Sequence, residues 1–141
     1  MVESILRLNY GLKLKTTNYI SVSVSPEYLN QQSEPSEDHF TWAYHVHIEN
    51  TGSKTIQVLT RHWKITDIKG VSHEIVGDGL IGQQPILKPG EVFKYSSGTP
   101  LSTSSGFMSG SLLLIADDGE LFRAVVPSFS LDSTQQIRAL H

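Results

Sequence analysis

The chain has 141 residues, 38% of them hydrophobic and 18% charged, with a formal net charge of −3 at pH 7. That balance suits one globular domain with a single core and excludes a disordered chain, while the lack of a positive excess argues against nucleic acid or an anionic membrane surface as partner. Cysteine is absent, which removes disulfides, thiolate metal sites and cysteine nucleophiles. No run of about 18 apolar residues suggests membrane insertion, and residues 1–15 lack an apolar signal stretch, so a cytoplasmic location is expected.

Residues 1–19 read as an N-terminal extension with a first strand, 20–131 as the main domain and 132–141 as a C-terminal tail. Within the domain, apolar Ile20, Val22 and Val24 alternate with Ser21, Ser23 and Ser25, the period-two pattern of a half-buried strand. Asn30–His39, rich in Gln, Ser, Glu and Pro, reads as a loop. Trp42, Tyr44, Val46 and Ile48 then alternate with Ala43, His45, His47 and Glu49, and Asn50, Thr51, Gly52 and Ser53 supply a turn. Ile56–Thr66 forms the next strand, with Leu59, Trp63 and Ile65 expected on one face and Val58, Thr60, His62 and Lys64 on the other.

Further strands are predicted at Ser72–Val76, Val92–Ser96, Phe107–Ala116 and Leu121–Val126, with a Ser-rich loop at Ser102–Gly106. Asp117, Asp118 and Gly119 mark a tight hairpin between the last two strands. The helical pattern at Gln135–Leu140 is too short to be stable alone. These elements predict an all-β antiparallel sandwich of immunoglobulin or fibronectin type III-like form.

Gly77, Gly79 and Gly82 carry the GxGxxG spacing of a dinucleotide-binding loop. That fingerprint works only where the glycines lead into a helix, whose N-terminal amides and dipole hold pyrophosphate. Here Gln83, Gln84, Pro85, Ile86, Leu87, Lys88, Pro89 and Gly90 follow, and the two prolines break a helix in its first turns. The glycines are therefore expected to serve conformation, in an irregular edge segment crossing between sheets. An anion held by exposed amides with Arg61 remains a secondary expectation.

In the triplet Arg61, His62 and Trp63, alternation separates His62 from the other two. Trp63 is expected in the core, with Arg61 packing its stem on the same face and pairing with a carboxylate. His45 and His47 share a strand face with Glu49, a spacing that presents imidazoles to one divalent metal, although a polar solvated face has the same pattern. No GxSxG elbow is present and no carboxylate pair belongs to a motif, so catalytic residues and cofactors are not expected.

Asn50–Gly52, RHWKITDIKG at Arg61–Gly70, VGDGLIGQQPILKPGEVFKYSSG at Val76–Gly98 and GFMSG at Gly106–Gly110 resemble the ApaG domain family. The likeness runs from about Ile20 through SVSPEYL and the Gln32–Ser33 pair to VPSFSL at Val126–Leu131. It implies a fibronectin type III-like sandwich, and it implies protein binding, since eukaryotic relatives carry the domain beside F-box or polymerase-interacting regions. Bacterial relatives are linked to cobalt resistance and magnesium efflux, which for a chain without a spanning helix implies an indirect role. The expected function is a non-catalytic interaction domain whose surface for an unidentified protein involves Gly77–Gly90 and the Ser102–Gly106 loop, with Arg61, Gly77, Gly79, Gly82 and Gln84 as candidate contacts. The rival is a phosphate- or nucleotide-binding sensor or enzyme using the same glycines and Arg61. A homodimer is one way to cover an open sheet edge.

Overall fold

The structure, a computed structural model, describes residues 15–16 and 19–134. The short helical pattern expected at Gln135–Leu140 lies outside the described residues. Nine strands are described: β1 Lys15–Thr16, β2 Ile20–Tyr28, β3 Phe40–Asn50, β4 Ile56–Asp67, β5 Ser72–Asp78, β6 Ile86–Leu87, β7 Val92–Leu101, β8 Ser105–Ala116 and β9 Leu121–Asp132. One sheet has the order β2-β3-β7; the other runs β1-β9-β8-β4-β5, with β6 also on β4. Every neighbouring pair is antiparallel except β1 with β9. The fold is the expected immunoglobulin or fibronectin type III-like β-sandwich.

Alternation along β3 buries Trp42, Tyr44, Val46 and Ile48 against Val58, Trp63, Ile65, Met108, Leu112 and Leu114 of the facing sheet. The Trp63 indole lies edge-on to the Tyr44 ring, with centroids 5.7 Å apart. On β4 the face assignment needs one correction. The β4–β8 register shifts between Val58 and Thr60, leaving Leu59 as an unpaired extra residue. This bulge resets the alternation, so Val58 joins Trp63 in the core rather than opposing it.

Paired strands run longer than local composition suggests. β7 continues through Gly98 and Pro100 to Leu101 because Phe40 to Ala43 of β3 supply its ladder partners. As an edge strand it tolerates a proline whose missing N–H faces outward. The Asn30–His39 loop is a pair of 3-10 turns at Asn30–Gln32 and Pro35–Glu37, with Glu34 bridged to His39. Asn50, buried at the end of β3, donates from Nδ2 to the carbonyls of Lys54 and Leu87, tying the β3–β4 turn to β6.

The Asp117–Gly119 hairpin forms as expected: Gly119, at φ 88°, donates its N–H to the Ala116 carbonyl. Asp118 pairs with Lys54 at 2.6 Å and accepts the Glu120 N–H. The Lys54 ammonium, then that N–H, holds the Asp118 carboxyl below its ordinary pKa. The pair is a turn clamp with both carboxyl oxygens engaged by protein donors.

Candidate functional site

The segment from Gly79 to Leu87 leaves the edge of β4 and returns to it. β5 pairs with Thr60 to Thr66, and β6 pairs with Ile56 and Gln57, so the intervening residues form an outward loop on one sheet edge and, contrary to expectation, do not cross between the sheets. The Gly79 N–H donates to the Leu59 carbonyl at the bulge. Leu80 and Gln83 then exchange two backbone bonds, of 2.6 and 3.1 Å, around Ile81 at φ 49° and Gly82 at φ 76°. Left-handed backbone at both central residues is the requirement of a type I′ turn. No helix follows Gly82, so the glycines do not head a Rossmann phosphate loop.

The loop is braced at its base. Leu80 is buried in the core. The Gln84 side chain donates to the Leu59 carbonyl at 2.9 Å, and the Gln57 side chain donates to the Gln84 carbonyl at 3.1 Å. Arg61 shares the core-side face with Trp63, as alternation predicts, and its Nη1 donates to the carbonyls of Asp78 and Gly79 at 3.0 and 3.1 Å. A carboxylate was expected there, and backbone carbonyls take its place. Gly77 makes this path available, since a Cβ on it would lie 2.9 Å from Arg61 Nη1. Arg61, Gly77, Gly79, Gly82 and Gln84 thus belong to one construction that fixes the loop.

Its chemistry differs from that of an anion nest. The amides of Gly79, Leu80 and Gln83 donate to protein carbonyls. What the loop offers outward is aliphatic: Ile81 is 54% exposed at the tip, and Ile86 is 62% exposed where the loop returns. A β-branched residue at positive φ is uncommon and strained. Local sequence carries no signal for it, since isoleucine stands where asparagine or glycine is usual in such a turn.

His45 and His47 lie in the middle of the outer face of β3, flanked by Ser23 and Ser25 of β2 and by Lys94 and Ser96 of β7. His45 Nε2 hydrogen-bonds with the Glu27 carboxyl at 3.0 Å and its Nδ1 with the Ser96 hydroxyl at 2.6 Å. Among the described residues no group of three or more histidine and carboxylate side chains is arranged to hold a metal ion. A groove of about 410 Å³ at the end of the sandwich is lined by Asp38, His39, Asp67, Val71, His73 and Leu101 among others. Its buried carboxylate, Asp67, already accepts the N–H groups of Lys69 and Val71.

The Tyr95 hydroxyl is withdrawn from solvent near the Trp63 indole N–H, without a hydrogen bond of full geometry between them. Burial pushes its pKa up to about 12, against the smaller opposing effects of the Trp63 N–H and the Arg61 guanidinium. Because the folded value lies above the ordinary phenol value of 10.0, this group's contribution to stability is complete below pH 10 and is lost as pH rises through about 12. An absorbance titration should show the Tyr95 phenol ionising late, and Tyr95→Phe should remove that step.

An ApaG domain model matches residues 30–116. The chain belongs to the ApaG family. It is 55% identical over 119 residues to protein ApaG of Rhodospirillum centenum, covering 84% of this chain and 92% of the relative. With protein ApaG of Parvibaculum lavamentivorans it shares 50% over 125 residues, covering 89% and 96%. Among solved structures, a Bordetella pertussis protein described as ApaA superposes with a TM-score of 0.80 at 42% identity, covering 85% of this chain and 97% of that one. The ApaG domain match takes in the bulge, the braced loop and Arg61 together. Among the described residues no helix is long and apolar enough to cross a membrane.

Proposed function

We propose that this ApaG domain is a non-catalytic protein-interaction module whose contact surface is the braced loop from Gly79 to Leu87. The observation that carries this reading is Ile81, an exposed aliphatic residue held in a strained backbone conformation by a turn anchored through Leu80, Arg61 and Gln84. Strain of this kind persists where surrounding structure over-determines it. A pre-ordered loop presenting aliphatic side chains loses little entropy on binding. The names of the relatives state no activity, which agrees with a binding role. The family's association with cobalt resistance and magnesium efflux is exerted, on this reading, through the bound partner.

The test uses Ile81→Asn and Ile86→Asn, since asparagine tolerates left-handed backbone while removing the aliphatic surface. Both variants should stay folded, Ile81→Asn melting somewhat above the wild type as the backbone strain is relieved, and partner recovery on immobilised protein should fall about tenfold or more. Equal recovery by the folded variants removes the loop from the surface. ATP and pyrophosphate are expected to leave the melting temperature unchanged; a rise abolished by Arg61→Ala would replace this reading with the phosphate-sensing one.

A further inference from the structure

Among the described residues, the outer strands β2, β7 and β5 are guarded unequally against pairing. In an antiparallel ladder, alternate residues direct N–H and C=O toward the partner strand and the rest direct them away. The bond from Thr51 N–H to Tyr19 sets the phase of β2, so its outward row includes Pro26, which has no donor. The bond from Asn50 N–H to Glu91 sets β7, whose outward row includes Lys94 and Pro100. Prolines and lysines at such positions are the usual devices against edge pairing.

β5 lacks both. Bonds from Asp67 N–H to Val71 and from Gly79 N–H to Leu59 fix its phase, leaving Ser72, Glu74, Val76 and Asp78 directed outward. Arg61 takes one of these groups, the Asp78 carbonyl. Val76, in the middle of the row, is 52% exposed.

Of the two-fold pairings open to this row, only the one centred on Ile75, the midpoint of β5, overlaps the whole strand, and it opposes no acids. An antiparallel pairing centred on Glu74 sets Glu74 against itself, and one centred on Val76 sets Glu74 against Asp78. Centring on Ile75 instead opposes Glu74 to Val76 and Ser72 to Asp78, so no acids face each other. Glu74 already hydrogen-bonds to His62 at 3.1 Å, and Lys64 stands opposite it in the β4 register. We propose that this protein forms a homodimer by antiparallel pairing of β5 with β5 of a second copy, on a two-fold axis through Ile75. The pairing joins the two β5-bearing sheets into one and covers Val76.

A chain without cysteine permits a direct test. In this register Ile75 faces its own counterpart as a non-hydrogen-bonded pair with Cα atoms about 4.5 Å apart, within disulfide reach. Ile75→Cys should form a reducible covalent dimer on oxidation, whereas Ser72→Cys, at opposite ends of the pairing, should stay monomeric. Adding Val76→Glu to Ile75→Cys opposes like charges at two symmetric positions and should lower the yield about tenfold. Adding Glu74→Lys as well should restore it. Failure of Ile75→Cys to cross-link while folded, or equal cross-linking by Ser72→Cys, overturns the proposal. Should Ile75→Cys not fold, sedimentation decides: the parent should run as a dimer and Val76→Glu as a monomer, and a monomeric parent overturns the assignment. Cross-linking at position 75 only to another protein would likewise give this edge a different occupant.

Discussion

Gly110→Ala is expected to lower stability by about 3 kcal/mol and the melting temperature by about 10 °C, from the addition of a single methyl group. Gly110 lies opposite Trp63 in the β4–β8 ladder and beside the register shift in β8–β9. A Cβ there would sit 2.3 Å from Trp63 Cε3 and 2.6 Å from the His62 carbonyl oxygen. The second contact is to backbone, so a rotamer change cannot relieve it. The first is to a fully buried indole that meets Tyr44 edge-on and has Tyr95 near its N–H. The added volume can therefore be absorbed only by moving β8 away from β4, through the centre of the core. Thermal unfolding followed by near-ultraviolet dichroism checks this, because the Trp63 signal should weaken with stability. In a Trp63→Phe background the same substitution should cost less, giving a coupling energy of about 1 kcal/mol or more. Equal costs in both backgrounds would mean that the indole is not the obstacle.

Much of this architecture was legible because sandwich strands bury one face. The alternation in Trp42 to Glu49 placed the histidines outward and the aromatics inward, and both lie so. The separation of His62 from Arg61 and Trp63 followed from the same period. What one sequence could not disclose was Leu59, since a bulge inserts a residue without changing local composition, and Val58 was assigned to the wrong face as a result. The ends of β7 were hidden for a related reason: Gly98 and Pro100 disfavour strand locally, and pairing with β3 overrides them.

For the loop, composition showed what was excluded more readily than what was built. Pro85 and Pro89 ruled out a phosphate-binding helix. Nothing local to Arg61 indicated that its guanidinium would meet the Asp78 and Gly79 carbonyls, because that contact depends on the β4–β5 register and on the missing side chain of Gly77. The strained Ile81 was equally hidden, since a positive φ at isoleucine runs against its preference and is imposed by the turn around it.

The glycines of the GxGxxG stretch are expected to respond to substitution in unequal ways, with Gly79 by far the most sensitive. At φ 58°, a Cβ on Gly79 would lie 2.1 Å from the Gln83 carbonyl oxygen and 2.8 Å from its carbon. That oxygen is the acceptor for Leu80 N–H in the type I′ turn, so Gly79→Val meets the turn itself and adds the penalty of a β-branched residue in left-handed backbone. A loss of about 3 kcal/mol is expected. Hydrogen exchange should quicken at Leu80 and Gln83 while the β2–β3 amides keep their protection. Gly82, at φ 76°, has open space where a Cβ would go, so Gly82→Ala carries only the conformational penalty of about 1 kcal/mol. A phosphate-cradling loop would predict a different order, because there each glycine lets the ligand approach the backbone and binding would fall at both positions before stability did. If Gly82→Ala proved as damaging to stability as Gly79→Val, the type I′ turn would not be the feature that these residues maintain. If Gly79→Val left exchange at Leu80 and Gln83 unchanged, the loop would not depend on the close packing of Gly79 against Gln83.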